Sequence, residues 1–218
     1  MQVLLGKISK HQENISLVLA ILLVAAGSVC ATLFASSQQA PPTPPANQPH
    51  AVPSMQGDID DRLVLPFSRP TYIRIPAIDV ESNIIAIGKN EDGSIGMPSQ
   101  SDYNKAAWYE NSPAPGQFGS SIIEGHVDYA DAGPAIFFKL GALKKGDTVR
   151  VTRADGRVAI FTVYKIQTYK KSLFPTKEVY GATRRPTLTL ITCGGAFNPS
   201  IGDYDSNIVV FSALTAIN

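Results

Sequence analysis

Past residue 50 the chain contains one cysteine, Cys193, and one histidine, His126. Together these two side chains can carry out acyl transfer. A thiolate attacks a carbonyl carbon, while an imidazole gives a proton to the leaving amine and later takes one from the incoming nucleophile. A free thiol titrates near ~8.5, so ionisation at neutral pH calls for a neighbouring cation, and a protonated His126 is one candidate. Cys193 closes the alternating run Thr-Leu-Thr-Leu-Ile-Thr-Cys and is followed by Gly194-Gly195; His126 follows Ser120–Glu124 and Gly125. Both are expected at rims where a strand enters a loop and the backbone is unobstructed. A plainer reading stands beside this one, since a lone cysteine is commonly a buried small hydrophobe and a lone histidine an ordinary polar residue.

The elements that must present these groups read as short strands. Runs rich in β-branched and aromatic residues, separated by Gly, Pro, Asp and Asn, fall at Tyr72–Ile75, Asn83–Ile87, Ser120–Glu124, Thr148–Arg153, Val158–Gln167, Thr187–Cys193 and Asn207–Ala213. Seven or eight such strands predict an all-β sandwich or barrel over residues 66–218. Ala154-Asp155-Gly156-Arg157 reads as a hairpin turn with its flanks paired antiparallel. Pro134–Lys144 carries Ile136, Phe137, Leu140 and Leu143 at helical spacing, which predicts one short amphipathic helix.

Composition narrows the function classes. The 218 residues include 19 basic and 18 acidic ones, net +1, which leaves no field to attract nucleic acid. Two cysteines and three histidines exclude a multi-cysteine zinc module or a disulfide scaffold. Asp58, Asp60 and Asp61 lack the glycine-punctuated loop of a calcium site, and no metal or cofactor is expected.

Ahead of the domain, Ile15–Ala35 is an uncharged, proline-free run of 21 residues. At ~1.5 Å rise per residue it is long enough for a hydrocarbon core of ~30 Å. Lys7 and Lys10 precede it and predict a cytoplasmic N-terminus over residues 1–14. A cleaved signal peptide is the rival reading. The run exceeds the ~7–15 residues of a usual signal core, which favours a retained single-pass anchor and an extracytoplasmic domain. Cys30 lies inside this run and reads as a membrane thiol. Residues 36–65, rich in Pro, Ser, Ala and Gln at their start, read as an extended linker.

The motifs resemble those of the sortases. Thr189–Gly195 is similar to their cysteine motif, and Gly125-His126-Val127-Asp128 to their histidine motif; the resemblance runs over about residues 66–214. Cys-Gly-Gly-Ala-Phe-Asn after the strand, with Gly-His-Val-Asp, is most similar to class F. The resemblance implies a membrane-anchored cysteine transpeptidase on a closed eight-stranded β-barrel with one or two short helices. Such an enzyme cleaves an LPxTG-like sorting signal of a secreted protein between Thr and Gly. It holds the product as a thioacyl intermediate and passes it to an amine of a cell-wall precursor or another protein. Carried over, Cys193 is the nucleophile and His126 the acid/base, while Asp128 either orients the histidine loop or is a plain turn residue. Lys170–Arg185 resembles the loop over the sorting-signal groove, where Leu173, Phe174 or Val179 would meet the Leu-Pro part or else serve as core.

Two departures accompany the resemblance. Sortases carry an arginine a little downstream of the cysteine, yet residues 194–218 contain neither arginine nor lysine, and Asp205–Asn207 reads Asp-Ser-Asn. An oxyanion needs prepositioned donors. Three readings follow: Asn207 donates through its amide; Arg74, Arg184 or Arg185 reaches in; or catalysis is weakened, leaving a module that binds sorting signals. A cysteine hydrolase is a further alternative. The second departure is Glu124, expected to point from its strand end into water, because acidic residues are seldom buried without a partner; the other reading has it strengthening the charge of His126.

Overall fold

A computed structural model describes residues 40–44, 63–129 and 132–218. The expected N-terminal segment 1–14, the anchor 15–35 with Cys30, most of the linker and Asp58, Asp60 and Asp61 lie outside the described residues. Among the described residues no helix is long and apolar enough to cross a membrane.

Ten strands are present among the described residues: β1 (Pro70–Ile75), β2 (Val80–Ile87), β3 (Ala106–Tyr109), β4 (Gly119–Glu124), β5 (Asp128–Tyr129), β6 (Gly133–Pro134), β7 (Thr148–Arg153), β8 (Val158–Lys170), β9 (Pro186–Asn198) and β10 (Asp203–Ile217). Eight close into a barrel in the order β1-β2-β3-β4-β9-β10-β8-β7, and β5 and β6 form a separate two-stranded ribbon. Most neighbours are antiparallel, but β2 runs parallel to β3 and β4 parallel to β9. One short helix, α1 (Thr176–Tyr180), lies between β8 and β9.

Strand alternation sorts the side chains into two clusters. Ile73, Ile75, Val149, Val151, Phe161, Leu188, Leu190, Ile208 and Val210 belong to the barrel core, closed by Phe137, Leu140 and Leu143. The opposite parity of the same strands, Ile191, Val209 and Phe211, joins Ile122 in a second cluster outside the barrel, covered by Val179 with Tyr169 and Phe174 packed against it. That outer face also carries Cys193 and Asn207, which continue its alternation.

Several expectations change in the folded chain. The hairpin at Ala154–Arg157 joins β7 to β8, antiparallel as expected, with Gly156 at φ +81°. No amphipathic α-helix forms over Pro134–Lys144; only Leu140–Ala142 makes a 3-10 turn. The reason is competition for backbone donors. Ala135 N–H and Phe137 N–H donate to Val127 O and His126 O, both at 3.0 Å, so this segment pairs with the histidine loop instead of closing helical turns. Its apolar spacing serves core burial all the same. The cysteine strand extends to Asn198 and its partner begins at Asp203, so Cys193 lies within β9 and not at its end. Strand β3, whose four residues carry little β-pattern of their own, exists because β2 and β4 flank it.

One buried cation staples the chain before β1 to the barrel. Arg153, 1% exposed, donates to Pro115 O, to Pro66 O at 2.6 Å and to the Asp155 carboxylate at 2.9 Å. Its charge is compensated on every side, the condition for keeping a guanidinium inside a protein.

Candidate active site

Cys193 and His126 are delivered by adjacent parallel strands. The register pairs Glu124 with Ile191, and Gly125 N–H donates to Ile191 O at 3.2 Å. Thr192 Oγ1 then donates back to Gly125 O at 2.8 Å. Gly125, the residue before His126, is thereby held against Ile191 and Thr192, the two residues before Cys193, as the chain leaves β4. Gly125 is required by close approach: a Cβ there would stand 2.7 Å from Phe137 Cδ2 and 2.8 Å from Ile136 Cγ2.

His126 Nε2 lies 3.0 Å from Pro98 O in the β2–β3 connection. A carbonyl only accepts, so Nε2 carries the hydrogen, and in the neutral ring Nδ1 is left with the lone pair. The imidazole also meets the Tyr129 ring edge-on, with centroids 5.6 Å apart. Tyr204 Oη donates to the Asp128 carboxylate, which ties the histidine loop to β10.

Cys193 is a free, half-buried thiol. Gly194 and Gly195 do more than clear its surroundings. Tyr204 pairs with Phe197 and Ser206 with Gly194, so two residues, Gly195 and Ala196, face the single Asp205. This is a β-bulge, with Gly195 at φ +82° in the left-handed region such bulges assign to glycine. It bends β9 immediately beyond the nucleophile.

Across the sheet Asn207 pairs directly with Cys193. Opposed residues of an antiparallel pair project to the same face with Cβ atoms ~5 Å apart, so the two side chains leave the sheet as neighbours. Arg74 is instead engaged with Glu81 at 2.8 Å on β1, and Arg184 is exposed. The charged groups acting on Cys193 are Lys171, Asp203 and Asp128. Burial pushes the thiol up from its ordinary value, the Lys171 ammonium opposes this through its charge and as a hydrogen-bond donor, and the two carboxylates add to the rise. Lys171 was not a candidate on sequence, where it reads as one of two adjacent lysines at the end of a strand.

The three apolar groove candidates separate. Leu173 is 80% exposed, free for a ligand. Val179 is buried in the outer cluster, and Phe174 packs between Tyr169 and Tyr180, at centroid distances of 6.1 and 5.9 Å. These last two fasten the segment over the barrel wall.

Glu124 contradicts its expected exposure. Helix α1 packs over the outer face of β4, leaving Glu124 6% exposed with Tyr180 Oη donating to it at 3.4 Å. Burial raises its carboxyl to about 7, and the single long hydrogen bond only partly opposes the rise. The strand-end position promised water; the covering helix removed it.

The family model of the sortase domain matches residues 73–215. Solved structures with the same architecture include sortase A of Listeria monocytogenes, 18% identical, covering 70% of this chain and 90% of that one at a TM-score of 0.52. Sortase C1 of Streptococcus agalactiae is 21% identical, covering 67% of each chain at 0.51. Sortase C-1 of Actinomyces oris is 22% identical, covering 67% of this chain and 73% of that one at 0.51. No curated protein matches the chain.

Proposed function

Because the chain belongs to the sortase family of cysteine transpeptidases, we propose that it is a single-pass membrane enzyme of class F type, N-terminus cytoplasmic and barrel extracytoplasmic. It cleaves LPxTG-like sorting signals of secreted proteins between Thr and Gly and transfers them to an amine at the cell surface. The observation that supports the proposal is the parallel β4–β9 register, which runs to Glu124 opposite Ile191, two residues short of His126 and of Cys193 respectively. Cys193 attacks the threonyl carbonyl; the C–N bond breaks as imidazolium His126 protonates the departing glycine amine. The acceptor amine then loses a proton to neutral His126 and attacks the thioester, releasing the thiolate. Asn207, on the same face as the sulfur, donates its amide to the oxyanion. Leu173 supplies apolar surface for the Leu-Pro part of the signal, while Phe174 and Val179 hold that segment in place.

The test is intact mass of the purified full-length chain after incubation with LPxTG-like peptides, with and without an amine, beside Cys193→Ala. A thioacyl adduct on wild type alone, discharged by the amine into a ligated peptide, supports transpeptidation. An adduct discharged only by water identifies a hydrolase. Peptide binding with no adduct identifies a binding module, and either result overturns the proposal.

A further inference from the structure

The β9–β10 hairpin brings carboxylates to the nucleophile and no cation. Asp203 and Asp205 lie on β10, the residue facing Cys193 is the neutral Asn207, and residues 194–218 hold no arginine or lysine. The cation arrives from the other edge of β10. There β8 pairs Lys170 with Ser206, and Ser206 in turn pairs with Gly194, so one row across three strands links the end of β8 to the residue after the nucleophile. The chain turns immediately after Lys170 into a 3-10 turn, Lys171–Leu173. Two ion pairs fix this corner: Lys170 Nζ to Asp205 Oδ2 at 2.5 Å, and Lys171 Nζ to Asp203 Oδ1 and Oδ2 at 2.6 and 2.7 Å.

An ammonium has three hydrogens to donate. Asp203 takes two of those of Lys171, which leaves the third outside that pair, and the Lys171 charge opposes the rise that burial imposes on the Cys193 thiol. Lys171 is the cation whose charge lowers that thiol, against Asp203 and Asp128, which raise it. The carboxylate thus works as a bracket, fixing a flexible lysine at a point where its charge faces the reacting atom.

We propose that Lys171 is a catalytic residue of this enzyme, the cation that stabilises the Cys193 thiolate and the oxyanion formed from it, in place of the arginine that sortases carry downstream of the cysteine. This rests on the transpeptidase reading. On attack the sulfur lone pair forms the S–C bond and the carbonyl π pair moves to oxygen. The negative charge passes from one atom to another while Lys171 stays protonated throughout. It exchanges no proton; His126 handles those. Asp203 is a positioning residue that acts through Lys171.

The test has two readouts on the full-length chain: the pH midpoint of iodoacetamide alkylation, followed at the Cys193 peptide by mass spectrometry, and kcat/KM for an LPxTG-like peptide. Lys171→Met is expected to raise the alkylation midpoint by about one pH unit or more and to lower kcat/KM by ~10²–10³-fold. Lys171→Arg keeps the midpoint and most of the turnover. Asp203→Asn loosens the bracket on Lys171 and is expected to lower kcat with KM unchanged, an effect that disappears when Lys171→Met is already present. A Lys171→Met enzyme with a wild-type melting curve, midpoint and kcat/KM overturns the proposal. If wild type turns over no sorting peptide, the transpeptidase reading falls instead, and the alkylation midpoints still decide whether Lys171 acts on the thiol.

Discussion

Replacing Glu124 by glutamine is expected to stabilise the protein, and to do so only above the usual carboxylate range. In the unfolded chain this carboxyl gives up its proton near 4.5; in the fold it keeps it to about 7, because α1 shuts out water and only the Tyr180 hydroxyl compensates. A folded-state value above the unfolded one means that protonation favours the fold. The stability tied to Glu124 is therefore complete below 4.5 and is lost as pH rises through 7. The interval corresponds to roughly 3 kcal/mol. Less than about 1 kcal/mol of this is spent at pH 5 and nearly all of it by pH 8. For a domain of this size that is on the order of 6–12 °C in Tm. Urea or thermal melts of wild type and Glu124→Gln at pH 5 and pH 8 measure it directly. Comparing the two proteins cancels the other titrating groups, including Asp92, Asp102, Asp155 and Asp205, whose hydrogen bonds and ion pairs hold them below the ordinary carboxylate value. The variant is expected to match wild type within about 1 kcal/mol at pH 5 and to exceed it by 2–3 kcal/mol at pH 8. A stability difference that stays constant between the two pH values would refute the buried-carboxylate reasoning.

Two further outcomes concern the scaffold. Arg153→Met fills much of the same volume but leaves Pro115 O, Pro66 O and the Asp155 carboxylate without their donor; urea unfolding is expected to show a loss of roughly 3–5 kcal/mol, and a loss below 1 would mean that the guanidinium is not the staple described. Gly195→Ala forces a side chain into the left-handed region and its Cβ onto Asp205 Oδ1 and Ser206 Oγ. A loss of about 2 kcal/mol or more is expected, with slower thioacyl formation as Cys193 shifts; an unchanged melting curve would remove the bulge from the account.

The strands that lead to His126 and carry Cys193 were legible in the sequence because their signals are local. Alternation over Thr187–Cys193, a glycine before His126 and two glycines after Cys193 are statements about a few adjacent residues, and the strand period makes them readable. The hairpin around Gly156 was legible for the same reason. Asn207 was found by counting to the next strand, and the β9–β10 register sets it opposite Cys193.

What the tertiary structure alone decided are the features that depend on which strands become neighbours. Lys171 comes to the strand that faces Cys193 because β8 and β9 flank β10 on its two edges and Asp203 of β10 holds its ammonium, a relation no spacing along the chain encodes. The helix predicted over Pro134–Lys144 gave way because the histidine loop offered its backbone donors better-placed carbonyls. Glu124 ends a strand, which in sequence suggests water, yet a helix more than fifty residues away covers it. Periodicity tells a side chain which face it takes; only the packed barrel determines what stands against that face, and the dielectric and charge found there set its chemistry.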